Sequence, residues 1–448
     1  MAVLDPQAEL LAAFDRHAPY HSHSLGQIQL FLELVLTSAI GFRAAARVLN
    51  VVSFLFPTVE QGPSPNGGQM WLLRLGLYEL SRPKEQADDW IWIIDHTIQI
   101  GRVKCLTVVA VRLAAWERKR ANEDALGALT HQDLSVWMIE PVEKSDGPLV
   151  QGQLKKLSQQ TGVIPRAVLS DCGADLQSGV GRFCAEHPQT AALNDVAHAA
   201  ANAVKRELNH DAQWAAFQRD ASHAKAKMRQ TKFAFLLPPE LKAKARWMNL
   251  DPLLTWSRKA LAFVAAPRPV PGASWETVEL EEQLGWLRDY EESLASWSQM
   301  LEVTAASLKY IRQHGYHVQA QSELADELKP FMAGEETRAS RVSERLLAFV
   351  KEQSSGIPAG QRLLGSSEIL ESLIGKSKQL EGQQSKSGFT KMILGLAASV
   401  SEITETTVSA ALSAVKVKDV VDWIRNNLGI SVQAQRQRAF AHFRAEQN

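Results

Sequence analysis

The stretch WIWIIDHTIQIG, residues 90–101, decides the predicted fold. Its bulky apolar side chains are typical of a buried strand, and a single carboxylate, that of Asp95, interrupts them. An isolated buried carboxylate is unfavourable unless a cation or hydrogen-bond donors compensate its charge. Asp95 is therefore a candidate functional residue whose partners other parts of the chain must supply.

Strands alternate with helices from this stretch to about residue 209. Two more strands, at 103–113 and 134–143, are predicted to follow through hairpin connections. A helix, a fourth strand ending at Ser170, another helix and a fifth strand complete the pattern. This order predicts the mixed five-stranded sheet of an RNase H-like α/β domain, with Asp95 on its central first strand.

A second carboxylate follows the fourth strand, in the sequence AVLSDCGADL. Asp171 comes directly after Ser170, at the carboxyl end of the strand, where open α/β sheets collect functional groups. Two carboxylates on neighbouring strands repel each other unless a cation lies between them, and Mg²⁺ prefers such oxygen ligands. Asp171 could instead cap the next helix, although Asp175 suits that role better.

A third acidic group lies far downstream, in GSSEILESLIGKSKQLEG. The Gly-Ser-Ser segment is a plausible helix start, and Glu368 and Glu371 would share one face of the helix that follows. Either glutamate could join the two aspartates. Three carboxylates holding two Mg²⁺ ions, with Mn²⁺ as a substitute, would activate an attacking oxygen at a phosphodiester.

These residues resemble the DDE triad of RNase H-like transposases. The segment NDVAHAAANAVK, with Asp195-x-x-His198, is similar to the (Cys/Asp)-x-x-His signature of hAT-type and related transposases. The resemblance covers roughly residues 90–380, and it implies a bacterial insertion-sequence DNA transposase in which Asp195 and His198 support the site. The chain departs from hAT proteins proper, because it has neither their zinc-finger head nor a clear C-terminal dimerisation motif.

The resemblance also favours one of the two glutamates. The order Glu371-Ser-hydrophobic is closer to the family's glutamate helix than the surroundings of Glu368 are, so Glu371 is the expected third metal ligand. His198 and Asp195 also have structural interpretations. A histidine at a helix start more often orients a loop or a carboxylate than takes part in chemistry.

The sequence divides into four regions that differ in predicted secondary structure. Residues 1–85 predict an all-α, helix-turn-helix-like head, and residues 86–209 the first part of the RNase H-like core. Residues 210–365 predict a large all-helical insertion, and residues 366–448 complete the core with the glutamate helix and C-terminal helices. The resemblance implies the same insertion.

Candidate DNA-binding residues form basic patches in the head and in the insertion. Arg43 and Arg47 are four residues apart in GFRAAARVL, so both can face one DNA groove. A second patch could neutralise several phosphates or simply be a solvated helix face. Its members are Lys225, Lys227, Arg229, Lys242, Lys244 and Arg246. Trp247 beside it is a core residue or a platform for an unpaired base.

Composition is that of an ordinary globular protein. Lys plus Arg equals Asp plus Glu at 49 each, so a DNA partner has to be held by local patches and not by a globally positive field. The three cysteines lack metal-ligand spacing and fit a reducing compartment. We expect a cytoplasmic, nucleoid-associated protein without a membrane partner, and a homo-oligomer on DNA.

The predicted function is a DNA transposase that cleaves element ends and joins the 3′ hydroxyl to target DNA. Its partners would be double-stranded terminal inverted repeats and target DNA. Two alternatives stay open. One is an RNase H-like nuclease, against which the sequence Asp95-His96-Thr97 counts, because exonucleases of this fold usually carry Asp-x-Glu there. The other is a catalytically idle, domesticated DNA-binding protein.

Overall fold

The computed structural model describes residues 16–55, 61–100, 103–122, 127–240, 247, 250–272, 274–382, 390–428, 439–440 and 443. Its described part divides into two compact units, one formed by residues 1–192 and 367–448 and the other by residues 193–366. None of the helices in these described ranges is both long and apolar enough to cross a membrane.

The described residues include five β-strands and seventeen α-helices. The strands are β1 (Trp90–Ile100), β2 (Val103–Arg112), β3 (Leu134–Val142), β4 (Ala167–Ser170) and β5 (Ala191–Asn194). The helices are α1 (Leu25–Leu36), α2 (Phe42–Leu55), α3 (Pro65–Ser81), α4 (Leu113–Ala121), α5 (Gly147–Thr161), α6 (Ala174–Glu186), α7 (Val196–Leu208), α8 (Ala212–Met228), α9 (Asp251–Ala265), α10 (Thr277–Leu284), α11 (Glu291–His314), α12 (Ala320–Met332), α13 (Arg338–Ser354), α14 (Glu368–Gly382), α15 (Leu394–Ala398), α16 (Glu405–Ala414) and α17 (Val417–Leu428).

The strands form one mixed sheet in the order β3-β2-β1-β4-β5. β1 pairs antiparallel with β2 and β2 antiparallel with β3, whereas β4 runs parallel to β1. The predicted α/β fold with a mixed five-stranded sheet is confirmed at this level, and β1 is its central strand. The prediction of a hairpin between β2 and β3 is wrong.

A helix, α4, lies in the connection between β2 and β3. Its sequence LAAWERKRA is rich in strong helix formers, which favour a helix over a tight turn. Trp116 is completely buried and anchors the helix, and Lys119 forms an ion pair with Asp133 just before β3. The connection is therefore a packed element of the sheet domain.

One face of the sheet carries a core that shows why the first strand is so apolar. Trp90, Trp92 and Ile94 alternate along β1 and pack with Val150 of α5 and Val180 of α6. Side chains two residues apart in a strand share a face, so this set covers one side and Ile91 and Ile93 the other. Both faces of β1 are buried, which accounts for the almost continuous apolar run.

The N-terminal helices share a second core with the C-terminal helices. Phe31 of α1 and Leu72 of α3 belong to one buried cluster with Leu412 of α16. Arg74 of α3 is buried and donates to the carbonyl oxygens of Leu412 at 2.5 Å and Val415 at 2.6 Å, so it caps the end of α16. Residues of the predicted head therefore pack as part of the same unit as the sheet.

The second unit is helical around an aromatic core. Trp214 of α8 and Trp297 of α11 are buried and meet edge to face with ring centroids 4.9 Å apart. The carboxylate of Glu207, at the end of α7, receives hydrogen bonds from Arg341 and Arg345 of α13. Aromatic packing and this ion-pair network tie the first helix of the unit to its last.

Candidate active site

The register between β1 and β4 sets the positions of the two predicted aspartates. Ile94 of β1 lies opposite Ser170 of β4, the last pair between these parallel strands. Asp95 is the next residue of β1, and Asp171 is the first residue after β4. Because β1 continues to Ile100, Asp95 lies within its strand and one residue beyond this pairing.

A short backbone hydrogen bond orients each aspartate. Asp95 Oδ1 accepts from the backbone N–H of His96 at 2.6 Å, and Asp171 Oδ1 accepts from that of Gly173 at 2.8 Å. A Cβ at Gly173 would lie 2.8 Å from Asp171 Oδ1, so a larger residue there would displace this carboxylate oxygen. These bonds direct the carboxylates without neutralising them.

The helix after β4 does not start as predicted. Gly173 occupies the N-cap position of α6, and Asp175 lies in the first turn, where its Oδ1 accepts from the backbone N–H of Leu176 at 3.1 Å. Neither Asp171 nor Asp175 is therefore the capping residue. The negative charge of Asp175 still interacts favourably with the positive end of the helix dipole.

A second polar group, which the sequence did not predict, lies on the other face of β1. The side chain of His96 points to the opposite face of β1 from that of Asp95, the face covered by α5 and α6. There its Nδ1 is 3.8 Å from Asp175 Oδ2. Lys104 Nζ is also 3.8 Å from Asp175 Oδ2. Burial lowers the pKa of His96, against the opposing effect of Asp175. The pleat thus points Asp95 and His96 to opposite faces of β1, and Asp171 is near enough to His96 to oppose the lowering of its pKa.

The predicted glutamates lie in the first turn of α14. The helix begins at Glu368, directly after the Gly-Ser-Ser segment, and the backbone N–H groups of Leu370 and Glu371 donate to Ser367 O at 2.9 and 3.3 Å. α14 packs against β1. In the same helix turn, Ser372 Oγ lies 3.1 Å from His131 Nε2, which ties the start of α14 to the segment before β3.

α14 covers the face of the sheet that carries Asp95. Asp95 pairs with Thr107 of β2, and Cys105 is two residues away on the same face. Burial raises the pKa of the Cys105 thiol to about 12, and Glu381 at the other end of α14 is close enough to contribute. Among the described residues, neither Asp95 nor Asp171 belongs to a group of three acidic, histidine or cysteine side chains whose ligand atoms lie within 4.8 Å of one another.

Asp195 and His198 form a helix cap in the second unit. Asp195 is fully buried at the N-cap of α7, and its Oδ2 accepts from the backbone N–H of His198 at 3.1 Å. The same oxygen lies 2.7 Å from His198 Nδ1. The Asp-x-x-His spacing places the imidazole where one capping carboxylate reaches both the ring and the helix backbone, so Asp195 acts as a helix cap.

The residues predicted to contact DNA differ in their exposure and in their polar partners. Arg43 and Arg47 are exposed on one face of α2. In the second unit, Lys225 Nζ lies 3.9 Å from Glu240 and Lys227 Nζ 3.4 Å from the Glu282 carbonyl oxygen. Arg229 follows directly after α8 and is exposed, and Trp247 is half-buried. Lys242, Lys244 and Arg246 lie outside the described residues.

Acidic residues from a distant part of the chain reach the insertion patch. Lys232 Nζ, three residues after Arg229 of the patch, binds Glu279 Oε2 of α10 at 2.6 Å. The patch is therefore less positive in the fold than in the sequence.

Searches with the chain match no known protein-family model and no curated protein. The candidate site has to be interpreted from its own geometry.

Proposed function

We propose that the chain is a metal-dependent DNA transposase of the DDE type, built on an RNase H-like sheet. The observation that carries the proposal is that Asp95 of β1 and Asp171, which follows β4, come one residue after the last pair of these two adjacent strands. The strand order β3-β2-β1-β4-β5, with β2 antiparallel to both of its neighbours and β4 parallel to β1, supports the same fold. α14 supplies a candidate third carboxylate on the Asp95 side of the sheet.

The donor set fits Mg²⁺. Asp95 and Asp171 offer carboxylate oxygens, which this hard cation prefers, and Glu371 would be the third ligand. When bound, two Mg²⁺ or Mn²⁺ ions would activate an attacking oxygen and stabilise the leaving oxygen at a phosphodiester. The backbone N–H groups of His96 and Gly173 hold the two aspartates in orientation, so these side chains do not have to be ordered again when DNA binds.

The exposed face of α2 is the strongest candidate for contact with DNA. Arg43 and Arg47 lie one helix turn apart on it. In the proposed reaction this surface holds the duplex through its phosphates, and the carboxylates act on the strand at the element's end. Hydrolysis frees a 3′ hydroxyl, which then attacks target DNA and expels a 3′ oxygen of that strand. Each step exchanges one phosphodiester oxygen for another.

Carboxylate-to-amide variants test this proposal without disturbing the local fold. In Asp95→Asn and Asp171→Asn the amide Oδ1 can still accept the backbone hydrogen bond, whereas the negative charge is lost. Glu117→Gln, on an exposed turn of α4, is the matched control in the same unit. The substrates are duplexes carrying inverted repeats from the DNA that flanks the coding sequence.

We expect both aspartate variants to bind these duplexes in a gel shift and to lose Mg²⁺-dependent nicking by at least about 100-fold, about 2.7 kcal/mol in activation free energy. The Glu117→Gln variant should cleave like the wild type. Nicking by either asparagine variant at a near wild-type rate would contradict the proposal. Wild-type cleavage of RNA–DNA hybrids, but of no DNA duplex, would favour the RNase H-like nuclease instead.

A further inference from the structure

A cavity of about 790 Å³ lies within the second unit, away from its aromatic core. One wall is a face of α9 that includes Trp256, Lys259 and Phe263, and the other is formed by Phe235 and Leu236. Arg268, just after α9, completes the rim. A cavity of this size can hold a ligand of one or a few rings.

The apolar walls are fixed in position although they are exposed. Trp256 Nε1 donates to Leu236 O at 2.9 Å, which joins the two walls at the base of the cavity. The ring of Phe235 meets that of Phe263 edge to face, at 6.3 Å between centroids, yet 46% of Phe235 stays exposed. Leaving such a large aromatic side chain in contact with water is unfavourable, so a ligand that covers it gains free energy.

The charge at the rim has one sign. Lys259 and Arg268 are the charged residues that line the cavity, and within the described part of the chain neither forms an ion pair. Arg258, the neighbour of Lys259, points elsewhere and lies 3.9 Å from Glu302. Among the described residues that line it, this apolar cavity has two cations and no acid, an arrangement that complements an apolar anion.

From these contacts we infer that the cavity binds a small aromatic anion, one or two fused rings that carry a carboxylate, sulfonate or phosphate. The rings would lie between Phe235 and Trp256, where aromatic faces and edges give favourable contacts. The anionic group would reach Lys259 and Arg268. This site is separate from the proposed aspartate pair, and it does not depend on the transposase proposal.

Two fluorescent probes that differ in charge test the inference on the full chain. 8-Anilinonaphthalene-1-sulfonate is an aromatic anion, and N-phenyl-1-naphthylamine has the same rings without the sulfonate. The charge variant is Lys259→Ala with Arg268→Ala. Its control, Lys309→Ala with Lys351→Ala, removes two exposed cations of the same unit that do not line the cavity. Ala262→Trp, on an exposed position of α9, fills the cavity, and Ala266→Trp is a second filling variant.

We expect the anionic probe to bind one saturable site in the wild type and in the control. The charge variant should bind it about fivefold more weakly, since each exposed ion pair contributes little, and should bind the neutral probe unchanged. Either filling variant with a wild-type circular dichroism spectrum should bind neither probe. Unchanged affinity of the anionic probe in the charge variant, an equal loss for both probes, or normal binding by a filling variant would overturn the inference.

Discussion

Glu381 gives a prediction about stability in the sheet unit. It lies in the last turn of α14, and its Oε1 is buried without a hydrogen-bond partner among the described residues. Burial raises the pKa of this carboxyl from 4.5 to about 7, against the opposing effect of Lys378. The folded protein therefore holds a proton that the unfolded chain releases between these pH values. Stability should fall as pH rises through this window and should level off above pH 7.

The expected size follows from the shift. A difference of about 2.5 pKa units corresponds to at most about 3.4 kcal/mol, at 1.36 kcal/mol per unit. Because the side chain is partly exposed, solvent screening reduces this to about 1–2 kcal/mol. Glu381→Gln cannot ionise, so its free energy of unfolding should exceed that of the wild type by this amount at pH 8 and by much less at pH 4.5.

Urea denaturation at half-unit pH steps from 4.5 to 8 measures this difference directly. Subtracting the variant curve from the wild-type curve removes the effect of every other titrating group. Hydrogen exchange in peptides from β1 and β2 assigns the transition to the sheet unit. Glu117→Gln, at an exposed position, should leave the pH dependence unchanged. A Glu381→Gln curve that runs parallel to that of the wild type would refute the assignment of a buried, protonated carboxyl.

Three further predictions concern the sites themselves. Asp195→Ala should speed hydrogen exchange in α7 and lower stability by about 1–2 kcal/mol, because it removes a buried cap; unchanged exchange with lost cleavage would instead indicate a metal ligand. Arg43→Ala with Arg47→Ala should reduce the salt dependence of DNA binding by nearly two units of log-log slope, and an unchanged slope would place recognition elsewhere. Glu371→Gln should abolish Mg²⁺-dependent cleavage while Glu368→Gln keeps at least about a tenth of it, and the reverse result would exchange the two roles.

Local sequence predicted the elements near the site. The apolar run of β1, the end of β4 at Ser170 and the start of α14 after a Gly-Ser-Ser segment all depend on periodicity and on residues that begin or end elements. These signals lie within a few residues of the feature they specify. The parallel pairing of the first and fourth strands brings the end of β4, which Asp171 follows, beside the part of β1 that precedes Asp95.

Contacts between distant segments could not be predicted in the same way. Nothing near Arg74 indicates that it caps α16, more than 300 residues later, and nothing near Lys232 indicates that Glu279 will neutralise it. The hairpin predicted between β2 and β3 failed for a related reason. LAAWERKRA follows β2 directly, so its helical preference was hidden by the strand pattern before it, and the burial of Trp116 becomes evident only in the fold.

The two motifs of the proposed site differ in how much they say about function. Asp195-x-x-His198 forms local hydrogen bonds that cap α7, so the presence of this motif alone says little about function. Asp95 and Asp171 are different, because each accepts a backbone bond at one oxygen and they come one residue after the last pair of two adjacent strands, β1 and β4. Two carboxylates brought together there would repel each other unless a cation offsets their charge. The proposal of metal-dependent chemistry therefore depends on the aspartate pair. The Asp195-x-x-His198 signature supports it only if Asp195→Ala reduces DNA cleavage without a matching increase in hydrogen exchange in α7.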